Sequence, residues 1–156
     1  MATWNFDTIF PTYLHGHFSE PQVIDTDGTP NHVLDIARPY TVKLDWAVQG
    51  TDACCLDGKW AVTISLESLG EGFEGSVWKA EKLYTDVVPP SLLTNRMWHI
   101  DADITNPTTD PDPKKNVTPG VYKLVVLILF YDVLGNPEAM AAFSTGPTLA
   151  FFNPGP

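Results

Sequence analysis

Four histidines and several closely spaced carboxylates are the side chains in this sequence best placed to do chemistry. In Leu14-His15-Gly16-His17-Phe18 two imidazoles lie two residues apart. On an extended chain both rings project from one face, the arrangement a metal ion uses. His99 and Asp101 repeat that spacing. His15, His17, His99 and Asp101 together form a candidate zinc or iron set, on which a metal-dependent enzyme could be built. The plainer reading is a group of solvated or hydrogen-bonded surface histidines.

The two cysteines are adjacent, Cys54-Cys55. On a strand their side chains point to opposite faces, so they cannot share one metal. A bond between neighbours closes a strained ring with little loop entropy to gain. Zinc sites need a second pair, and the chain has none. The expectation is one buried small residue and one exposed thiol. Asp25 to Asn31 begins like a calcium loop, but Pro30 stands where that loop requires glycine and Ile36 where it requires glutamate. Asp101-Ala102-Asp103 and Asp110-Pro111-Asp112 could offer oxygens to calcium between loops; turn and surface acids are the simpler assignment. The sequence has no nucleophile elbow, phosphate loop, dinucleotide fingerprint or His-Glu-x-x-His helix. It therefore reads as a non-enzyme that needs no cofactor.

The elements that must hold these residues are strands. Tyr40 to Val48 alternates, with Val42, Leu44, Trp46 and Val48 on one face and Thr41, Lys43 and Asp45 on the other. Lys59 to Leu69 does the same with Trp60, Val62, Ile64 and Leu66. Met97 to Thr105 repeats it, placing Trp98, Ile100, Ala102 and Ile104 opposite His99, Asp101 and Asp103. Gln22 to Thr26 and His32 to Ile36 read as short strands, or as one edge strand broken by Asp27 to Asn31. Ala139 to Gly146 and Pro147 to Phe152 read as two closing strands around a Gly146-Pro147 turn. Asp57-Gly58 and Leu134-Gly135-Asn136-Pro137 are further turns. Asn106 to Asn116 reads as an irregular surface loop. No stretch carries a helical period.

Length and charge narrow the choices. A chain of 156 residues with 44% hydrophobic residues builds one core without a disulfide or metal staple. Nineteen acids against nine bases give a net charge of -10, which excludes the basic footprint that nucleic acid requires. The longest apolar run is eight residues, Leu124 to Tyr131, too short to span a membrane. The first residues lack a basic and an apolar signal region, which reads as cytoplasmic.

Seven to nine short strands with little or no helix imply a single antiparallel β-sandwich. In Thr118-Pro119-Gly120-Val121-Tyr122 the chain resembles the start of a late strand in immunoglobulin-like and fibronectin-like sandwiches. That resemblance implies a corner tyrosine whose hydroxyl bonds upstream backbone, and a buried core tryptophan at Trp46 or Trp60. No cysteine occupies the late strand, so no inter-sheet disulfide is implied. The reading divides the chain into an N-terminal segment, 1–21, packing on a sandwich domain, 22–156.

A strand with one wet face should alternate, and Leu124 to Tyr131 does not. An unbroken apolar run implies cover on both faces. The cover is either the N-terminal segment, through Trp4, Phe6, Ile9, Phe10, Tyr13 and Leu14, or another protein. The interface expectation names Leu124, Val126, Ile128 and Phe130. The leading function is a non-catalytic protein-binding or assembly module, with a protein partner or a homo-oligomer, no nucleic acid and no membrane insertion. The second alternative is a carbohydrate- or small-ligand-binding sandwich, with Trp78 or Trp98 as a stacking platform and calcium held by loop acids.

Overall fold

The computed structural model describes residues 4–5, 7–8, 15–50, 53, 56–82, 86–88 and 95–155. Along the chain run β1 (Trp4–Asn5), β2 (Asp7–Thr8), β3 (His15–Phe18), β4 (Gln22–Ile24), β5 (Val33–Asp35), β6 (Tyr40–Gln49), β7 (Gly58–Ser68), β8 (Glu74–Lys82), β9 (Asp86–Val88), β10 (Asn95–Ile104), β11 (Gly120–Asp132) and β12 (Pro137–Phe152). A 3-10 turn, Pro113–Lys115, interrupts the loop before β11, and no α-helix occurs among the described residues. No helix among them is long and apolar enough to cross a membrane.

Two sheets pack against each other. Sheet A runs β1-β3-β6-β10-β9, with β4 also on β6; sheet B runs β2-β12-β11-β7-β8, with β5 also on β12. Neighbours are antiparallel except β5, which lies parallel to β12. The alternation read from the sequence decides which side chains enter the core. β6 alternates buried and half-buried residues along its whole length, and β7 nearly so. The gap between the sheets is filled by Val42, Leu44, Trp46, Val62, Ile64, Leu66, Leu124, Val126, Ile128 and Leu149, all essentially inaccessible. At one end Trp46, Trp60 and Trp98 pack together, with centroids 5.2–6.3 Å apart, and Phe130 lies 4.9 Å from Trp60. The Arg96 guanidinium closes that end. It lies 5.1 Å over Trp98 and donates to the carbonyls of Leu56 and Ala53.

The Tyr122 corner forms at the opposite end. Its ring is buried, its hydroxyl donates to the Thr118 carbonyl at 2.8 Å, and it accepts from the Thr118 N–H at 3.2 Å. Nearby, the buried Tyr40 hydroxyl donates to Asn106 Oδ1 at 3.1 Å, and burial pushes its pKa up.

Two local expectations are corrected. The early strands are not one broken edge strand: β4 joins β6 in sheet A, whereas β5 joins β12 in sheet B. The Asp25–Asn31 turn carries the chain between the layers. Gly146-Pro147 is not a turn between strands. It lies inside the 16-residue β12, where the register against β11 jumps between Lys123–Thr148 and Val125–Thr145. Proline has no N–H for the ladder, and a bulge takes it in without ending the strand. The 106–116 loop is built on side-chain turns. Asp110 and Asp112 accept backbone N–H bonds, and Val117 beyond them is buried in the core.

Candidate functional site

The outer faces of the two sheets differ in chemistry, and that difference locates the candidate sites. On sheet A the outward positions of β6 are Thr41, Lys43, Asp45, Ala47 and Gln49, and those of β10 are Met97, His99, Asp101 and Asp103. Thr41 Oγ1 donates to Asp103 at 2.7 Å, and Lys43 faces Asp101 in register. His99 lies between two carboxylates: Nδ1 is 2.7 Å from Asp45 and Nε2 is 2.8 Å from Asp101. Partial burial is the largest single influence on this imidazole and lowers its pKa. The hydrogen bonds and charges of Asp45 and Asp101 together outweigh burial and raise it. A neutral ring can donate from only one nitrogen, so two flanking carboxylates favour the imidazolium. In that state neither nitrogen has a lone pair for a metal or a substrate proton.

The four histidine and aspartate candidates for metal are divided between two strands. His15 and His17 are on β3, opposite Gln49 and Ala47, while His99 and Asp101 are on β10; β6 runs between the two strands. Among the described residues no three His, Cys, Asp or Glu side chains come together as a metal set. The carboxylates of the calcium-like loop serve its own turn. Asp27 accepts from the Thr29 N–H at 2.9 Å and hydroxyl at 2.6 Å, and Asp25 accepts from the Thr26 N–H at 2.7 Å. Cys54 and Cys55 lie outside the described residues.

On sheet B the outward apolar residues lie along β11 and β12, while β7 and β8 carry Lys59, Thr63, Ser65, Glu67, Lys79 and Glu81 on that side. The long run of β11 splits into two faces, and the residues named for an interface lie on the inward one. Leu124, Val126, Ile128 and Phe130 are buried in the core between the sheets, so they cannot present a surface. The reason is phase: Tyr122 is buried, and every second residue after it follows inward. The outward positions are Val121, Lys123, Val125, Leu127, Leu129 and Tyr131; Val125 is nevertheless buried at 7% exposure, Leu127, Leu129 and Tyr131 are half-buried, and Val121 and Lys123 are exposed. Beside them in register lie Phe143 on β12 against Leu127, and Ala141 against Leu129. Thr63 and Ala61 of β7 flank the other side. Phe143 is 55% exposed.

A second apolar row crosses the same face at its far end. Val33, Ala150 and Val121 are consecutive across β5, β12 and β11. Leu69 joins the row, donating its N–H to the Val121 carbonyl at 2.9 Å. Phe152 is exposed beside them. At the opposite end the β11–β12 hairpin presents Val133 and Leu134, 61% and 83% exposed. Asp132 fixes this tip: its carboxylate accepts from the N–H groups of Leu134 and Asn136 and from the Asn136 amide. Those bonds hold the Asp132 carboxyl below its ordinary pKa. Gly135 takes the left-handed conformation that the turn requires, at φ +84°.

Both tryptophan platforms change. Trp98 is inside the core, with no face left for a sugar. Trp78 on β8 lies opposite Ile64 and packs half-buried against the core. Of the N-terminal residues expected to cover β11, Phe6, Ile9, Phe10, Tyr13 and Leu14 lie outside the described residues. The described pieces β1 and β2 extend the two sheets at their edges, on β3 and β12. The sequence reading missed the outward set and Phe143. The tyrosine corner carried the signal for it, since a buried Tyr122 fixes which residues of the run face out.

No protein-family model matches the chain, and no curated protein is significantly similar to it.

Proposed function

We infer that the chain is an immunoglobulin-like sandwich acting as a non-catalytic assembly module, which docks and self-associates through the outer face of sheet B. The immunoglobulin-like reading is supported by connectivity. One layer holds β4-β6-β10-β9 and the other β5-β12-β11-β7-β8. An early strand lies parallel to the last, a tyrosine corner opens β11, and a buried tryptophan, Trp60, sits on β7.

The assembly reading is carried by one observation: five of the exposed large hydrophobics, Val33, Leu69, Val121, Phe143 and Phe152, lie on or beside one sheet face. Single exposed hydrophobics are ordinary, whereas a contiguous apolar face rimmed by charges marks a docking surface. Sheet A, lined by Lys43, Asp45, His99, Asp101 and Asp103, offers no such surface. The ligand-binding alternative loses its support with Trp98 in the core, and the two bonded nitrogens of His99 disfavour the metalloenzyme.

The test is the solution mass of Phe143→Asp beside that of the unaltered protein and of Lys43→Glu on sheet A. Phe143→Asp is expected to be a folded monomer that melts cooperatively, while Lys43→Glu keeps the wild-type mass. Equal masses for all three proteins would refute the assignment of the face.

A further inference from the structure

The outward residues of β11 are nearly symmetric about Leu127. Val125 and Leu129 flank it. Beyond them come Lys123 and Tyr131, then Val121 and Val133. On β7, Glu67 is level with Lys123 and Lys59 is level with Tyr131, so the two ends of the face carry opposite charges. The apolar row at one end, Val121 with Val33 and Leu69, has a counterpart at the other in the hairpin tip Val133-Leu134. A face with this order is complementary to itself when one copy is turned end over end.

Resting on the reading of sheet B as a docking face, we propose that its occupant is a second copy of this chain, related by a two-fold axis that lies in the interface and crosses the strands at Leu127. Leu127 then meets Leu127 of the second copy, and Phe143 meets Phe143. Leu129 lies over the level of Val125, whose own side chain is already buried within its chain, and Lys123 reaches the ring of Tyr131. Each Glu67 pairs with Lys59 of the other copy. Each hairpin tip covers the apolar row of Val121. The contact is isologous and closes as a dimer.

The two Glu67–Lys59 pairs favour this axis. The alternative two-fold, running along β11, places Lys123 against Lys123 at the centre of the face. In the proposed arrangement Lys79 at the β8 margin lies nearest its own copy, with Glu81 of that copy two residues away to receive it. Within the chain, Glu67 and Lys59 form no ion pair among the described residues, although Lys123 neighbours Glu67 in register.

The dimensions suffice. β11 has 13 residues, about 44 Å at about 3.4 Å per residue. The four strands β12, β11, β7 and β8 span about 19 Å at about 4.8 Å each. The footprint is roughly 800 Å² per copy, the area that a stable interface takes from each partner. Packed sheets cross at about 30°, which displaces groups about 14 Å from the axis by roughly 7 Å; a lysine and a glutamate together reach across that offset.

The test is charge reversal, read as the dimer dissociation constant by sedimentation. Glu67→Lys and Lys59→Glu are each expected to raise it roughly tenfold, because each breaks two symmetry-related pairs and creates two like-charge contacts. The double variant Glu67→Lys/Lys59→Glu is expected to return within about threefold of the unaltered protein. If the double variant is as weak as the singles while Phe143→Asp still yields monomer, the face stands and the two-fold register is overturned. If no variant changes the dissociation constant, Phe143→Asp included, both readings fail together.

Discussion

Tyr122→Phe isolates the corner that sets the phase of β11. The substitution keeps the buried ring and its packing on Phe151, 5.7 Å between centroids, and removes one oxygen. That oxygen donates to the Thr118 carbonyl at 2.8 Å and accepts from the Thr118 N–H at 3.2 Å. A hydrogen bond contributes about 1 kcal/mol net, so the loss is about 2 kcal/mol. In a chain of 156 residues each kcal/mol moves the melting temperature by about 2–4 °C, giving an expected fall of about 4–8 °C. Thr118 is exposed, so water can replace part of what its backbone loses and the lower half of that range is favoured. Calorimetry on the two proteins measures the difference directly. A fall of less than about 1 °C would show that the hydroxyl does not anchor the strand, and would remove the explanation for which half of the apolar run faces outward.

Further predictions follow from buried and charged groups. The Ser144 hydroxyl is fully buried with no hydrogen-bond partner, so Ser144→Ala should raise stability by about 1 kcal/mol in chemical denaturation; a loss of stability would reveal a partner for that oxygen. His99 has a raised folded pKa, so the stability it contributes is fully present below its ordinary value near 6.5 and is lost as pH rises through the raised value. With the side chain 35% exposed, solvent screens much of this effect. Replacing His99 with Gln should therefore flatten the pH dependence of the melting temperature above pH 6.5, and an unchanged profile would contradict the carboxylate clamp.

The sandwich was largely legible because period-two alternation records burial directly. β6, β7 and β10 each have one wet face, and Val42, Leu44, Ile64 and Ile100 fall inside as their spacing requires. Sequence alternation fails where both faces are apolar. From Leu124 to Tyr131 nothing within the run separates core from surface; the phase is read from Tyr122 just before it, whose hydroxyl bonds Thr118 four residues upstream. Gly146-Pro147 misled for a related reason: the dipeptide is turn chemistry in isolation, and only pairing with β11 along its length turns it into a bulge. The partner of His99 was hidden by distance along the chain. Asp101 is two residues away and visible, whereas Asp45 is 54 residues away and reaches the ring only because β6 pairs with β10. Trp98 was offered as a surface platform although its own strand alternation places it beside Ile100 and Ala102, on the buried face.

The central claim is that the outer face of sheet B is an interface between copies of this chain. Sedimentation equilibrium of the unaltered protein over a concentration series tests it most directly. The account predicts a monomer–dimer equilibrium approaching twice the chain mass, with the dimer lost in Leu127→Asp, which sets two carboxylates across the axis. A single-chain mass at every concentration up to about 100 μM, where even an association of about 5.5 kcal/mol would be evident, would contradict it.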